Sequence, residues 1–378
     1  MTSRILKLTV FLSLFVFVSC KKETEKTTVS AVTNSVEYAK GFQLYEYPDF
    51  TVLKVTQPWQ DAKETFTYVL ANDLSKIPDS LKKEVSIQIP VKTAVVTSTT
   101  HIPSLVALGE SEALVGFPHL EYISSEVIRK NINAGKIKEL NDNESVNLEL
   151  TIDLNPEVIV AHSMEANNQK IKSLENAGLK VLLNGDWIET TPLGKAEWIK
   201  FFGVLFDKNQ EAAVYFNSIV TDYNQAKELV KDVKELPVVF SGSMYQDVWY
   251  APQGESWMAY FIKDAKGHYL WSDTKGTGSL SLSFETVLDK AQNAEIWIGP
   301  GQFTSYEELK NNNKHYTEFS AYKNRKVFTY SAKKGPTGGV IFYEEAPNRP
   351  DLILKDLIFI LHPEKLSEYT PYFIEALQ

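Results

Sequence analysis

The sequence predicts an α/β protein with two Rossmann-like lobes on parallel-type central sheets, joined by one long helix and preceded by a small β meander. Beyond Thr93, short apolar runs alternate with helical segments, which is typical of βαβ units and a parallel sheet. The runs form two blocks, separated by a single helical stretch at residues 194–234. About 360 residues after the leader also exceed what one hydrophobic core usually serves, so two lobes are expected.

The N-terminus has the layout of a bacterial lipoprotein signal. Arg4 and Lys7 precede an apolar run at residues 8–18, and Cys20 follows that run. The run would rise only about 16 Å as a helix, against roughly 30 Å of hydrocarbon, so it is too short to remain as a membrane span. We interpret residues 1–20 as a signal peptide and Cys20 as the lipidated first residue. An ordinary secretory signal with an incidental cysteine is the alternative.

Cys20 is the only cysteine of the chain, so the mature fold contains no disulfide. A diacylglycerol with a further acyl chain such as palmitate would anchor it stably in a membrane. Residues 21–35 are polar and are predicted to be a flexible tether. Residues 36–91 then form an N-terminal β extension, with alternating strand-like runs near residues 42–45, 50–55 and 65–70.

The two lobes are predicted at residues 92–193 and 235–378. Four apolar runs predict the strands of the first lobe, at residues 93–96, 113–117, 158–161 and 181–183. Three predict those of the second, at residues 237–240, 296–299 and 326–330. The connecting helix at 194–234 carries an apolar stripe and is expected to act as a stiff hinge.

Four segments of the chain resemble a known family. Residues 98–109, with Val115-Gly116, are similar to its first strand-helix-strand unit, and residues 147–159 to its helix before a Pro-(Asp/Glu)-apolar strand. Residues 282–288 repeat that second element, and residues 349–364 resemble the closing helix. The family comprises the substrate-binding proteins of ABC importers for iron-siderophore complexes, haem and cobalamin. The resemblance implies a chelate or corrinoid bound between the lobes and delivered to a permease dimer.

Topology predicts where the ligand binds. In parallel sheets, ligands lie beyond the carboxyl ends of the strands, and in a two-lobed protein these ends face the cleft between the lobes. The candidate ligand-binding residues combine those that follow from this rule with Trp249, from an aromatic-rich insertion, and Arg349, from the loop before the closing helix. They are Thr99, Thr100, His101, His119, His162, Asp186, Trp187, Ser243, Met244, Trp249, Gln302, Ser331, Lys333 and Arg349. Aromatic residues around Trp249 and Trp257 are expected to cover the rim of the second lobe.

Glu149 and Glu285 occupy matching places near helix starts in the two lobes. Helix capping is the simple explanation, because a carboxylate in the first turn is favoured by the helix dipole. The resemblance implies instead that both glutamates meet arginines of the transporter subunits.

Several alternatives remain open at this stage. Haem could bind through a histidine or Met244, and His101, His119, His162 and Asp186 could hold a bare Zn²⁺ or Mn²⁺. A surface scavenging lipoprotein without a dedicated importer is a third possibility. The sequence has no phosphate loop, no nucleophile elbow and no cysteine available as a nucleophile in the mature chain, so no enzyme activity and no cofactor are expected. A net charge of −9 gives no basic patch for nucleic acid. We expect a monomer in the cell envelope, at the periplasmic face or cell surface.

Overall fold

The computed structural model describes residues 32–142, 145–165 and 168–378. The predicted signal peptide, Cys20 and most of the predicted tether lie outside these residues. Within the described part of the chain, no helix is both long and apolar enough to cross a membrane.

The N-terminal extension is a four-stranded sheet. Its strands are β1 (Phe42–Glu46), β2 (Thr51–Val55), β3 (Phe66–Ala71) and β4 (Val85–Gln88). The first three are antiparallel, which confirms the predicted meander, whereas β4 runs parallel to β3. About a dozen residues separate β3 from β4, which is the length that a parallel crossover requires.

The first lobe has a five-stranded sheet in the order β11-β10-β5-β6-β7, with every pair parallel. Its elements are β5 (Ala94–Val96), α1 (Ile102–Ala107), β6 (Leu114–Phe117), α2 (Glu126–Asn133), β7 (Lys138–Glu139), β8 (Asn141–Asp142), β9 (Ser145–Val146), α3 (Leu148–Leu154), β10 (Val158–Ala161), α4 (Gln169–Asn176) and β11 (Val181–Leu183). The central strands β5 and β10 are buried along their whole length. Burial on both faces explains why these strands are continuous apolar runs rather than alternating ones.

The connector between the lobes consists of three helices, α5 (Pro192–Glu197), α6 (Ile199–Leu205) and α7 (Asn209–Leu229). The prediction of one continuous helix at 194–234 was therefore wrong in its boundaries. The backbone of Asp207 has a φ of 58°, which an α-helix cannot contain, so the chain turns between α6 and α7. Only α7 is long enough to act as a rigid strut.

The second lobe is built on a sheet in the order β15-β12-β17-β18-β19, parallel except for β19. Its elements are β12 (Val238–Ser241), β13 (Ser243–Tyr245), β14 (Val248–Pro252), α8 (Trp257–Asp264), β15 (His268–Tyr269), β16 (Ser279–Leu282), α9 (Phe284–Ala291), β17 (Ile296–Ile298), α10 (Tyr306–Asn312), α11 (Ser320–Lys323), β18 (Val327–Thr329), α12 (Ile341–Glu345), α13 (Pro350–Leu361) and β19 (Glu375–Ala376). Strands β13, β14 and β16 form a separate antiparallel sheet, which the sequence pattern did not predict.

One apolar core runs through the extension, the connector and both main sheets. Phe42 of β1 packs against Trp198 and Phe201 of the connector, with ring centres 4.5 and 6.5 Å apart. Trp198 and Trp297 are both buried in this core. The extension is thus packed onto the connector rather than folded apart from it.

Candidate ligand-binding cleft

A cavity of about 750 Å³ lies between the lobes. This volume is within the range of pockets that hold small organic ligands. Three parts of the chain contribute most of its lining: the extension with Gln57, Trp59, Gln60, Asp61 and Ala62, the first lobe with Thr100, Trp187, Ile188, Glu189 and Thr190, and the second lobe with Trp257, Met258, Thr277, Gly278, Tyr330, Phe342, Tyr343 and Pro347. Lys195 of α5 completes the lining.

Aromatic side chains form facing walls of this cleft. Trp187 lies on a short 3₁₀ turn that follows β11, and Trp257 is the first residue of α8, whose start is capped by the Ser256 hydroxyl. Tyr330 and Phe342 stack with ring centres 4.6 Å apart, and Trp257 packs 6.1 Å from Phe342. Such rings present large, flat apolar surfaces, which suit a bulky ligand.

Lys195 supplies the single cationic side chain among the described residues that line the cleft. Its ammonium donates to the carbonyl oxygens of Asp186 and Trp187, at 2.7 and 2.9 Å, and lies 5.6 Å from the centre of the Trp257 ring. Burial lowers the pKa of this ammonium to about 8, while Asp186 and Glu189 act in the opposite direction. An ammonium has three N–H bonds, so one is left for a ligand.

Lys195 is absent from the sequence-predicted residues, because the whole connector was interpreted as structural. The sequence signal that could have placed Lys195 near the cleft lies in the residues just before it. Thr191 caps α5 through a bond from the backbone N–H of Gly194, so the first turn of the connector directly follows the loop that carries Trp187.

Hydrogen bonds between the lobes close one end of the cleft. The carboxylate of Glu344, on α12, accepts from the backbone N–H groups of Ser124 and Ser125 in the first lobe, at 2.5 and 2.9 Å. Thr337 donates its hydroxyl to the carbonyl oxygen of Glu121 at 2.7 Å. Burial raises the pKa of Glu344 to about 7, although the two backbone donors favour its ionised form. These contacts fix the aromatic segment at 340–347 against the first lobe.

Five of the sequence-predicted residues line cavities. Thr100 and Trp187 face the main cleft. Thr99 and His119 line an adjoining cavity of about 290 Å³, which shares Tyr343 with the cleft. His119 and His162 also line a cavity of about 390 Å³ on the first lobe.

His101 and Asp186 lie beneath the cleft surface, contrary to their prediction as ligand contacts. His101 is fully buried, and its Nε2 atom is 4.0 Å from the Asp186 carboxylate. Burial lowers the pKa of His101 to about 4, so the imidazole is neutral at physiological pH. Among the residues that the structure describes, no group of three or more His, Cys, Asp or Glu side chains is placed to hold a metal ion.

Trp249 and Ser331 were wrongly predicted to face the ligand, because both are fully buried. Trp249 donates its indole N–H to the carbonyl oxygen of Ser241 and packs against Trp297. Ser331 donates its hydroxyl to the carbonyl oxygen of Gly301. Trp249 lies on β14 of the second antiparallel sheet, which the chain enters after β12. Ser331 comes just after β18, but it is turned into the core.

Five further predicted residues also do not line the main cleft in the described part of the chain: Ser243, Met244, Gln302, Lys333 and Arg349. Three of these five side chains form hydrogen bonds with other residues. Met244 accepts a weak bond from Asn313, Lys333 donates to the carbonyl oxygen of Tyr372, and Arg349 makes two bonds to Asp351 at 2.9 and 2.8 Å. The cation of the cleft is therefore Lys195 rather than a residue of the second lobe.

Glu149 and Glu285 are exposed at the second position of α3 and of α9. Asn147 and Ser283 cap these two helices through side-chain bonds from the backbone N–H groups of Leu150 and Thr286. The side-chain caps are thus provided by other residues, and each glutamate keeps only the favourable interaction of a first-turn carboxylate with the helix dipole. Leu148 and Leu150, which flank Glu149, are also exposed.

Comparisons with known proteins agree with this architecture. An uncharacterized lipoprotein of Methanocaldococcus jannaschii is 24% identical over 367 residues, covering 90% of this chain and 85% of that one. A periplasmic binding protein of Veillonella parvula has a TM-score of 0.60 at 14% identity, covering 85% of this chain and 94% of that one. A periplasmic heme binding protein of Pseudomonas aeruginosa has a TM-score of 0.57 at 14% identity, covering 76% and 98%.

A third solved structure, of a possible iron-binding (periplasmic solute-binding) protein from Staphylococcus epidermidis, has a TM-score of 0.56 at 19% identity, covering 72% of this chain and 98% of that one. These structural similarities establish the fold. The sequence model of the family described as periplasmic binding protein matches residues 95–333, which is more than half of the chain. The chain therefore belongs to the periplasmic binding protein family.

Proposed function

We propose that this protein captures a metal chelate of the ferric siderophore type, or a corrinoid, in the cleft between its lobes and delivers it to an ABC importer. The observation that carries the proposal is the aromatic-walled cavity of about 750 Å³ with Lys195 at its edge. Flat rings favour a bulky ligand, and a half-buried ammonium favours one that carries anionic or carbonyl oxygens. A bare ion would make no use of such walls.

Titration of residues 21–378 tests this proposal. Tryptophan fluorescence is followed while ferric siderophores, cobalamin, haem and Zn²⁺ are added separately. We expect saturable quenching by one chelate or corrinoid, and an affinity at least about tenfold lower in Trp187→Ala, because an aromatic contact is lost. Tyr245→Ala is the matched control, since Tyr245 is exposed on the second lobe and does not line the cleft. Binding of none of the organic ligands would contradict the proposal.

Haem is the second candidate, because Met258 and Tyr343 line the cleft and both residue types can ligate haem iron. The same titration distinguishes haem from a ferric siderophore or corrinoid, since ligated haem gives a shifted Soret absorption band. Zn²⁺ capture through His101, His119 and His162 has less support, because the described residues form no cluster of metal ligands. We further infer binding without turnover, so ligand released by denaturation should be chemically unchanged.

We propose that Cys20 carries the lipid anchor. The support is the sequence pattern at residues 1–20, together with relatives that are named lipoproteins. Cys20→Ser is expected to move the protein from the membrane fraction to the soluble fraction of the cell envelope and to abolish labelling by radioactive palmitate. Retention in the membrane fraction without labelling would contradict the assignment.

A further inference from the structure

The loop between β2 and β3 of the N-terminal extension reaches the cleft. Gln57, Trp59, Gln60, Asp61 and Ala62 all contribute to the lining. Gln57, Gln60 and Asp61 are exposed, whereas Trp59 is buried and packs edge-on against Phe66, with ring centres 5.6 Å apart. The match to the family begins at residue 95, so this loop lies outside the segment that defines the family.

Two buried glutamates attach the extension to the rest of the protein, Glu197 from α5 and Glu189 from the segment just before that helix. The carboxylate of Glu197 accepts from the backbone N–H groups of residues 37–39 at 2.6–2.9 Å. The carboxylate of Glu189 accepts from those of Lys40 and Gly41 at 2.7 and 2.6 Å. Hydrogen bonds to an ionised acceptor are about twice as strong as neutral ones. The extension is therefore fixed to α5, the helix that also carries Lys195, and to the segment just before it.

The loop itself rests directly on the first lobe. A Cβ atom at Gly185 would lie 2.1 Å from the backbone oxygen of Gln57, so only glycine allows this approach. Gly185 immediately precedes the turn that carries Trp187. The backbone N–H of Gln57 also donates to the carbonyl oxygen of Gly41, at 3.1 Å. The loop at 57–62 is thus fixed at its first residue, and the buried ring of Trp59 anchors it further, so that it forms a wall beside Trp187.

We propose that the loop at 57–62 is a specificity-determining wall of the binding site, so that ligand selection involves three walls rather than two. This inference rests on the proposed function of the cleft. The amides of Gln57 and Gln60 both donate and accept, and the carboxylate of Asp61 accepts. The loop therefore selects ligands whose periphery carries N–H or O–H donors, such as chelates or corrinoids with amide or hydroxyl substituents.

Affinities measured across a panel of ligands test the inference. The panel contains a ferric trihydroxamate with amide groups, a ferric tricatecholate, cobalamin and haem. In the double variant Gln60→Ala with Asp61→Asn, affinity for an amide-bearing ligand should fall about tenfold or more, while haem, which lacks N–H donors at its periphery, should change less than threefold. Asparagine is used because Asp61 has a φ of 58°, which asparagine tolerates.

Gln88→Ala is the matched control, since Gln88 is an exposed glutamine of the same sheet and does not line the cleft. Binding of any panel ligand by the intact chain supports the proposed function, and binding of none contradicts it. The inference about the loop is tested separately, by the affinities of the double variant for the ligands that the intact chain binds. The inference would be overturned if the ratios of affinity between these ligands, measured in the double variant, stayed within twofold of those of the intact chain. A changed order of ligand affinities that Gln88→Ala does not reproduce would support it.

Discussion

Simultaneous charge reversal at Glu149 and Glu285 is expected to abolish uptake while leaving ligand binding unchanged. Both carboxylates are exposed in the first turn of a helix, one in each lobe, and neither is needed as a cap. The family resemblance implies that both carboxylates meet arginines of the transporter subunits. Arginines at positions 149 and 285 would repel such partners, and like-charge contacts across an interface cost several kcal/mol. The measurements are uptake of radiolabelled ligand by cells and ligand affinity of the purified protein.

Glu126→Arg with Glu307→Arg is the control for this experiment. These glutamates are also exposed in the first turn of a helix, again one in each lobe. Each reversal removes a favourable interaction with a helix dipole, about 0.3–1 kcal/mol, so both pairs should affect stability alike. Normal uptake in the Glu149 and Glu285 double variant would exclude docking through these residues and favour a scavenging lipoprotein that works without a dedicated importer.

Replacement of Lys195 by methionine is expected to weaken binding of an anionic ligand about tenfold to a hundredfold. A hydrogen bond to a charged group contributes roughly 1.5–3 kcal/mol, and each 1.4 kcal/mol corresponds to a factor of ten in affinity. Lys208→Met is the control, because Lys208 is a connector lysine that pairs with Glu211 and does not line the cleft. Thermal unfolding of both variants would separate loss of the site from loss of the fold.

The pH dependence of binding provides a second test of Lys195. Its pKa is lowered to about 8, so the ammonium is charged below this pH and loses its proton as the pH rises through it. Only the charged form attracts an anion, and affinity should therefore be constant below about pH 7 and fall by up to about tenfold per unit above pH 8. Lys195→Met should show no such decline. An unchanged profile in that variant would assign the pH dependence to another group.

The strands and the order of the lobes could be predicted because the signal for each is local. Buried parallel strands such as β5 and β10 are short apolar runs, and this property is visible in any window of the sequence. Glu149 and Glu285 could be placed near helix starts for the same reason. The break in the connector was missed because Asp207 adopts a positive φ inside an otherwise helical pattern, and nothing in its neighbours requires this.

The lining of the cleft was predicted less well. Thr100 and Trp187 follow their strands directly into it, but Trp249 and Ser331 point into the core. The rule that residues after a parallel strand face the ligand holds only where the chain continues toward the cleft, and after β12 it enters another sheet instead. Lys333 and Arg349 were expected to supply positive charge, yet each is held by a partner on its own lobe.

The α/β class, the two blocks of strands, the family and the leader pattern that ends at Cys20 follow from the amino-acid sequence alone, because each depends on the order and periodicity of neighbouring residues. The side chains that share the cleft could be identified only in the folded chain. Gln60, Trp187, Lys195 and Trp257 are brought together by packing between segments that are far apart in the chain. The periodicity of neighbouring residues does not predict such contacts, because they form only when the extension, the connector and both lobes bury one common apolar core.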